Sequence, residues 1–234
     1  MKFRILTLFP EMFDGFLSTS IIGRAVAQNH IKIECDNIRE YSENRHKKVD
    51  DAPFGGGAGM VMMVQPLKDA LQAKPIAPKG KVIYMSPLGS RLTHDKVVDL
   101  SQYDELVIVC GHYEGIDQRF IDRYVDEEIS IGDFVLTGGE LAAMVLVDSV
   151  SRMVTHVLSN DDSASDESFA NGLLEYPQYT RPASYDGDVV PDVLISGNHA
   201  KIEKWRLDQS LALTKLRRPD LYEAYMQKKV DKKL

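Results

Sequence analysis

Three glycine breaks, each at the edge of an apolar run, constrain this chain more than any other feature. The stretch GHYEGIDQRFIDRYVDEEISIGDFVLTGGEL, Gly111 to Leu141, follows Glu105-Leu-Val-Ile-Val-Cys110, whose length and β-branched content suit a buried strand. Gly111 and Gly115 then form a strand-to-loop turn. A second apolar run, Ile129 to Ile131, ends in Gly132-Asp133, and Gly138-Gly139 precede a helical pattern. Glycines at the ends of consecutive elements let backbone approach backbone, or a ligand, where a Cβ would collide.

The flanking chain supplies more strands and helices. Lys2 to Phe9 reads as a first strand stopped by Pro10, Ser18 or Ser20 caps a helix to Gln28, and Ile31 to Ile38 alternates as a half-buried strand. Pro66 opens the helix LKDALQA, Lys81 to Met85 is a strand ending in the turn Ser86-Pro-Leu-Gly89, and Thr93 to Leu100 is a short helix. Such alternation predicts an α/β fold with a mostly parallel sheet and helices on both faces. Ligands gather outside the carboxyl ends of strands in such sheets, and the turns at 86–89, 111–115 and 131–139 fall on that rim. Thr137-Gly-Gly-Glu140 has the spacing of a capping box for a helix reaching about Arg152.

Pro53-Phe-Gly-Gly-Gly-Ala-Gly-Met60 is too rich in glycine for a regular element. It lacks the Gly-Lys-Ser/Thr ending of a P-loop and reads as a flexible or close-approach loop. Ser159 to Ser168 holds no large apolar side chain and reads as a mobile linker. The expected division is a domain over 1–158, a linker over 159–168 and a small helical domain over 169–234. In the last part Asn198 caps a long helix, with Ile202, Trp205, Leu211, Ala212 and Leu216 as core contacts, and Pro219 opens a final helix to Lys228.

Composition narrows the class. The net charge of −7 argues against a chain that coats nucleic acid by charge alone. Residues 201–234, however, carry ten Lys or Arg against five Asp or Glu, compatible either with a polyanion held at one end or with a solvated helix face. No run approaches the roughly 20 apolar residues of a membrane span, so no membrane partner is expected and the cytoplasm is the default compartment. Cys35 and Cys110 sit in strand-like runs and read as small buried residues.

Six strings in order resemble the bacterial tRNA (guanine-N1)-methyltransferases, the TrmD family of knotted, SPOUT-type methyltransferases. They are Leu6-Thr-Leu-Phe-Pro-Glu-Met-Phe13, Asp51 to Met60, Gly111-His-Tyr-Glu-Gly-Ile-Asp117, Ile131 to Glu140, Gly172-Leu-Leu-Glu-Tyr-Pro-Gln-Tyr-Thr-Arg-Pro182, and Ser196-Gly-Asn-His-Ala200 followed by Trp205-Arg206. The resemblance implies a trefoil knot in the carboxyl half of the first domain and S-adenosylmethionine held by three loops. The implied cofactor residues are Tyr84, Met85, Ser86, Pro87 and Gly89; Gly111, Tyr113, Glu114 and Gly115; and Ile131, Gly132, Asp133, Phe134, Val135, Leu136, Gly138 and Gly139. It further implies a homodimer with the active site at the subunit interface, tRNA as partner, and N1-methylguanosine at tRNA position 37, beside the anticodon, as the frame-maintaining product. Mg²⁺ is implied as well, with Glu114 as its nearest candidate contact and no ligand set fixed.

Guanine N1 is protonated at neutral pH, so methylation there needs a general base and a donor or cation to offset charge developing on O6. The family places an Asp before Ser-Phe; here Glu167 occupies that position and Asp166 precedes it, so the base is Glu167 or Asp166. Arg152 matches the family's supporting arginine, although by position alone it is an ordinary arginine at a helix end. Glu175, His46, Arg181, His199 and Arg206 are the candidates for contact with the RNA substrate. Other readings stay open at this point: a related knotted enzyme acting on ribosomal RNA, a non-catalytic RNA-binding protein, and a nucleotide-binding protein using the Gly55–Gly59 loop.

Overall fold

The computed structural model describes residues 1–158 and 167–231. The chain divides into two compact units, Met1–Asp161 and Asp162–Leu234. The Asp166 position lies outside the described residues.

In the first unit the elements run β1 (Lys2–Thr7), α1 (Asp14–Ser18), α2 (Ser20–Ala27), β2 (Lys32–Asn37), the two-residue strands β3 (Asp50–Asp51) and β4 (Val61–Met62), α3 (Val64–Gln72), β5 (Gly80–Arg91), α4 (His94–Leu100), β6 (Glu105–Cys110), α5 (Gln118–Tyr124), β7 (Glu127–Ser130) and α6 (Glu140–Ser151). Five of the strands form one sheet in the order β2-β1-β6-β5-β7, every pairing parallel. β6 is central and buried at all six positions, as its continuous apolar run requires.

Period-two alternation divides the core between the two faces. Phe3, Ile5, Ile83, Met85, Leu106, Ile108 and Cys110 pack with Ile22 of α2, Val97 and Leu100 of α4, and Ala143, Leu146, Val147 and Val150 of α6. Leu6, Val82, Tyr84, Val107 and Val109 face the other way, onto Leu67, Ala70 and Leu71 of α3 and Phe120 of α5. Arg4 is the exception on that second face: fully buried, it donates to the carbonyls of Leu71 (2.7 Å) and Lys74 (2.9 Å) at the end of α3, where a helix leaves acceptors unpaired.

Several local expectations need correction. Ser20, at φ +54°, is the first residue of α2, and Thr19 is its N-cap. The turn at 86–89 lies within β5, which continues to Arg91; the register on β7 shifts between Met85 and Ser90. Glu140 does not close a capping box. Gly139, which has no side chain to cap with, is the N-cap of α6; Glu140 is the first helical residue, and its carboxylate is held by other partners. Cys35 is half-buried rather than buried, whereas Cys110 is buried; both are free thiols.

The second unit contains the hairpin β8 (Ser184–Tyr185) and β9 (Asp188–Val189), then α7 (Asp192–Ile195), α8 (His199–Arg217) and α9 (Pro219–Asp231). Asn198 caps α8 by accepting from the Lys201 amide. The buried face of α8 carries Ser210 and Thr214, while Ala212 and Leu216 are exposed. The reason is polar: the Thr214 hydroxyl donates to the Ser210 carbonyl (2.6 Å) and accepts the Leu174 amide (2.9 Å), fixing that face against the segment around buried Leu173.

Two stability predictions follow from the sheet. Ile108→Ala, in the centre of β6, is expected to cost about 2–5 kcal/mol in denaturant unfolding, because the packed neighbours cannot fill the cavity. Glu34 on β2 pairs with Lys32 (2.6 Å), Lys74 (3.3 Å) and Lys2 (3.5 Å), and the hydrogen bond from Lys32 above all holds its carboxyl down at about 2. A lowered folded-state value gives stabilisation that is complete above the unfolded value near 4.5 and lost as pH falls toward 2. Glu34→Gln should therefore cost about 1 kcal/mol at pH 7, allowing for solvent screening, with the gap to wild type narrowing below pH 4.5 and nearly closed at about pH 2.

Candidate functional site

A cleft of about 210 Å³ opens beside the irregular stretch of β5 that follows Tyr84, the carboxyl ends of β6 and β7, and the amino end of α6. Three segments line it: Tyr84 to Pro87, Gly111 to Gly115, and Ile129 to Gly139 without Asp133, with Ala142 of α6 behind them. These are the loops expected on the rim. Two expected residues stand off it. Asp133 pairs with Arg91 at 2.8 Å on the exposed side of its loop. Gly89 lies against β7, where a Cβ would strike the Glu128 backbone.

The walls are built by backbone proximity. The Gly139 amide donates to the Gly111 carbonyl at 2.9 Å, and Gly138 bridges His112. A Cβ on Gly139 would stand 2.8 Å from the Cys110 Cα, so a side chain here would force β6 and the third segment apart. On the floor, Tyr84 is buried under the second segment, and a Cβ on Gly111 would meet its hydroxyl at 2.8 Å. Burial pushes the Tyr84 phenol up to about 12, with Glu128 adding to the effect and a hydrogen bond with the Ile116 backbone opposing it, so it stays neutral near pH 7.

The glycine run at 55–59 has a definite place. Gly55, Gly56, Gly57 and Gly59 all have φ between +78° and +127°, conformations that side chains rarely adopt. Beyond it, Met60 accepts the Glu114 amide (3.0 Å), and Met62 donates to the Gly115 carbonyl and accepts from the Asp117 amide, both at 3.0 Å. A Cβ on Gly59 would come within 2.5 Å of Glu114 Oε1. The run therefore backs the second segment of the cleft.

Ile129, Ser130 and Ala142 line the cleft outside the three expected loops, and His112 and Thr137, which lie within those loops, were not singled out as cofactor residues. His112 lay in plain view inside the GHYEG string. Its Nε2 lies 2.7 Å from Glu140 Oε2, while Thr7 donates its hydroxyl to Glu140 Oε1 at 2.6 Å. Glu140 is only 1% exposed.

The remaining candidates are distributed over both units. Arg152, half-buried, caps the carboxyl end of α6 through its amide to the Asp148 carbonyl, and exposed His46 donates its amide to Asn44 Oδ1. In the second unit Glu167 is half-buried with its carbonyl accepting the Ala170 amide, and Glu175 accepts from the Gln178 side chain. Arg206 lies 4.8 Å from the Tyr176 ring centre, close to the pair Tyr179 and Trp205 in sequence, and Arg181 and His199 are exposed. Among the described residues no group of three or more His, Cys, Asp or Glu side chains converges to hold a metal, so Glu114 has no companion ligands there. No helix of the described residues is long and apolar enough to cross a membrane.

Comparison with known proteins follows the same outline. The family model described as tRNA (Guanine-1)-methyltransferase TrmD matches residues 1–224. A relative from Ruminiclostridium cellulolyticum is 59% identical over 95% of this chain and 96% of its own length. One from Clostridium novyi is 56% identical over 100% of this chain and 96% of its own, and one from Geobacter sulfurreducens is 57% identical over 94% and 91%. All three carry the name tRNA (guanine-N(1)-)-methyltransferase. Matched over residues 1–224 by that model and over 94–100% of its length by these relatives, the chain belongs to the tRNA (guanine-1)-methyltransferase TrmD family.

Proposed function

We propose that this protein transfers a methyl group from S-adenosylmethionine to N1 of the guanosine at tRNA position 37, beside the anticodon, and so helps maintain the reading frame. The observation that carries the reading is the convergence of three separated segments on one glycine-walled cleft, in a chain whose relatives are named tRNA (guanine-N(1)-)-methyltransferase. The cleft fits a nucleoside-bearing cofactor. Gly111, Gly138 and Gly139 bring backbone to its edge without Cβ atoms, and Phe134, Val135 and Leu136 offer apolar surface. When bound, S-adenosylmethionine supplies an electrophilic methyl group on a sulfonium centre. The chain's own residues have the other tasks. The three segments hold and orient the donor, Glu167 or Asp166 accepts the N1 proton, and Arg152 offsets charge on O6. Nothing among the described residues supplies Glu114 with further metal ligands, and no step is assigned to Mg²⁺.

The same reading makes residues 1–158 a knotted cofactor domain and 169–234 a small, mainly helical tRNA-binding domain, joined by a linker over 159–168, in a cytoplasmic homodimer. The close approach of 138–139 to 110–112 supports the knot, since the third segment must pass against the end of β6. Exposed Leu141 and Val145 share one face of α6 and support a subunit contact there. Arg206 with Tyr176, and exposed Arg181 and His199, support RNA contact in the second unit, with His46 doing so in the first.

Incubation with unmodified tRNA and S-adenosylmethionine, followed by nucleoside analysis, should yield N1-methylguanosine; its absence, or methylation at another position, overturns the assignment. Glu167→Gln should slow single-turnover methyl transfer about 10²–10⁴-fold while leaving donor affinity unchanged. Unchanged turnover in that variant transfers the base role to Asp166.

A further inference from the structure

Glu140 is a carboxylate buried at the edge of the cleft, at the first position of the 12-residue helix α6, where the helix dipole favours a negative charge. Burying such a group is costly unless it is fully hydrogen-bonded, and its partners come from distant parts of the chain. Thr7, at the end of β1, accepts the Phe9 amide at 2.9 Å, and its single hydroxyl proton goes to Glu140 Oε1 at 2.6 Å. Oε2 faces His112 Nε2 at 2.7 Å, so an ionised Glu140 assigns the proton of that pair to Nε2.

His112 is the second residue of the second wall of the cleft. Its carbonyl accepts the Gly115 amide at 3.1 Å, closing a turn that holds Tyr113 at φ +59°, an unfavourable conformation for a residue with a side chain. The ring is packed by Phe9, centroids 4.9 Å apart. Gly138, in the third wall, lies directly under the contact. A Cβ there would overlap the imidazole and approach Glu140 Oε2 to 2.6 Å. One carboxylate thus joins β1, the second wall and the start of the helix that follows the third.

We propose that Glu140 is a positioning residue for the cofactor cleft: by fixing His112 it holds the 112–115 turn in its binding shape and sets affinity for the methyl donor rather than the rate of the chemical step. This inference rests on the methyltransferase reading above. A methionine at 140 fills similar space but accepts no hydrogen bond from Thr7 or His112. A glutamine can accept from Thr7 and donate to Nε2 after a tautomer change, so it restores the link.

The test uses the full-length protein and two readouts: calorimetric titration with S-adenosylhomocysteine, and steady-state kinetics with tRNA. Glu140→Met is expected to weaken S-adenosylhomocysteine binding and raise KM for the donor tenfold or more. Its kcat at saturating donor, and its KM for tRNA, should stay within threefold of wild type. Glu140→Gln should lie within threefold of wild type in every constant. Should Glu140→Met fail to fold, Thr7→Val removes one of the two bonds and is expected to weaken S-adenosylhomocysteine binding about threefold with kcat unchanged. The proposal is overturned if folded Glu140→Met, or Thr7→Val where that is the variant used, binds S-adenosylhomocysteine as wild type does. A fall in kcat alone, or a glutamine variant as impaired as the methionine one, also overturns it. Wild-type protein that binds neither S-adenosylmethionine nor S-adenosylhomocysteine brings down the methyltransferase reading and this inference together, and that result precedes any substitution.

Discussion

The approach of Gly139 to the end of β6 is the constraint on which the rest of the first unit depends. With the Gly139 amide bonded to the Gly111 carbonyl and no space for a Cβ beside Cys110, the third segment has to cross the mouth of the sheet at van der Waals distance. That crossing turns two strand ends and the irregular stretch of β5 into a walled cleft. It also delivers α6 onto the face where Ala143, Leu146, Val147 and Val150 complete the core, so the packing that stabilises the sheet and the packing that shapes the site are one arrangement.

A second layer of order lies behind the walls. Tyr84 supports the second segment from the floor, the left-handed glycines of 55–59 and the Met60 to Met62 backbone support it from outside, and the Glu140 carboxylate clamps it at the rim. A loop carrying a strained residue such as Tyr113 keeps its shape only when its surroundings over-determine it, and here three independent supports do so. A rigid, preformed cleft loses less freedom on binding than a loop that must order around its ligand.

Much of this was legible in the residues, for identifiable reasons. β6 announced itself because a fully buried strand reads as an unbroken apolar run, and the rim announced itself because glycine has few other reasons to recur at strand ends. The misses share a cause, which is that long-range partners overrode local pattern. Glu140 had the spacing of a capping residue, but a hydroxyl 133 positions earlier took its carboxylate. The buried face of α8 follows Thr214, held by the Leu174 amide, and leaves the more apolar Leu216 outside. Asp133 sat in a cofactor string yet turned to Arg91, and the proline-glycine step at 86–89 proved to be an irregularity inside β5. α5 carried too short a pattern to be anticipated beside the glycine turns around it.

The outer strand β2 carries Lys32, Glu34 and Asp36 at alternate positions, tied to Lys2 and Lys74 by ion pairs. Docking another strand along that border would bring its backbone against a row of charges already matched among themselves, and would strip water from them without offering new partners. That edge of the sheet is thereby a poor template for a further strand.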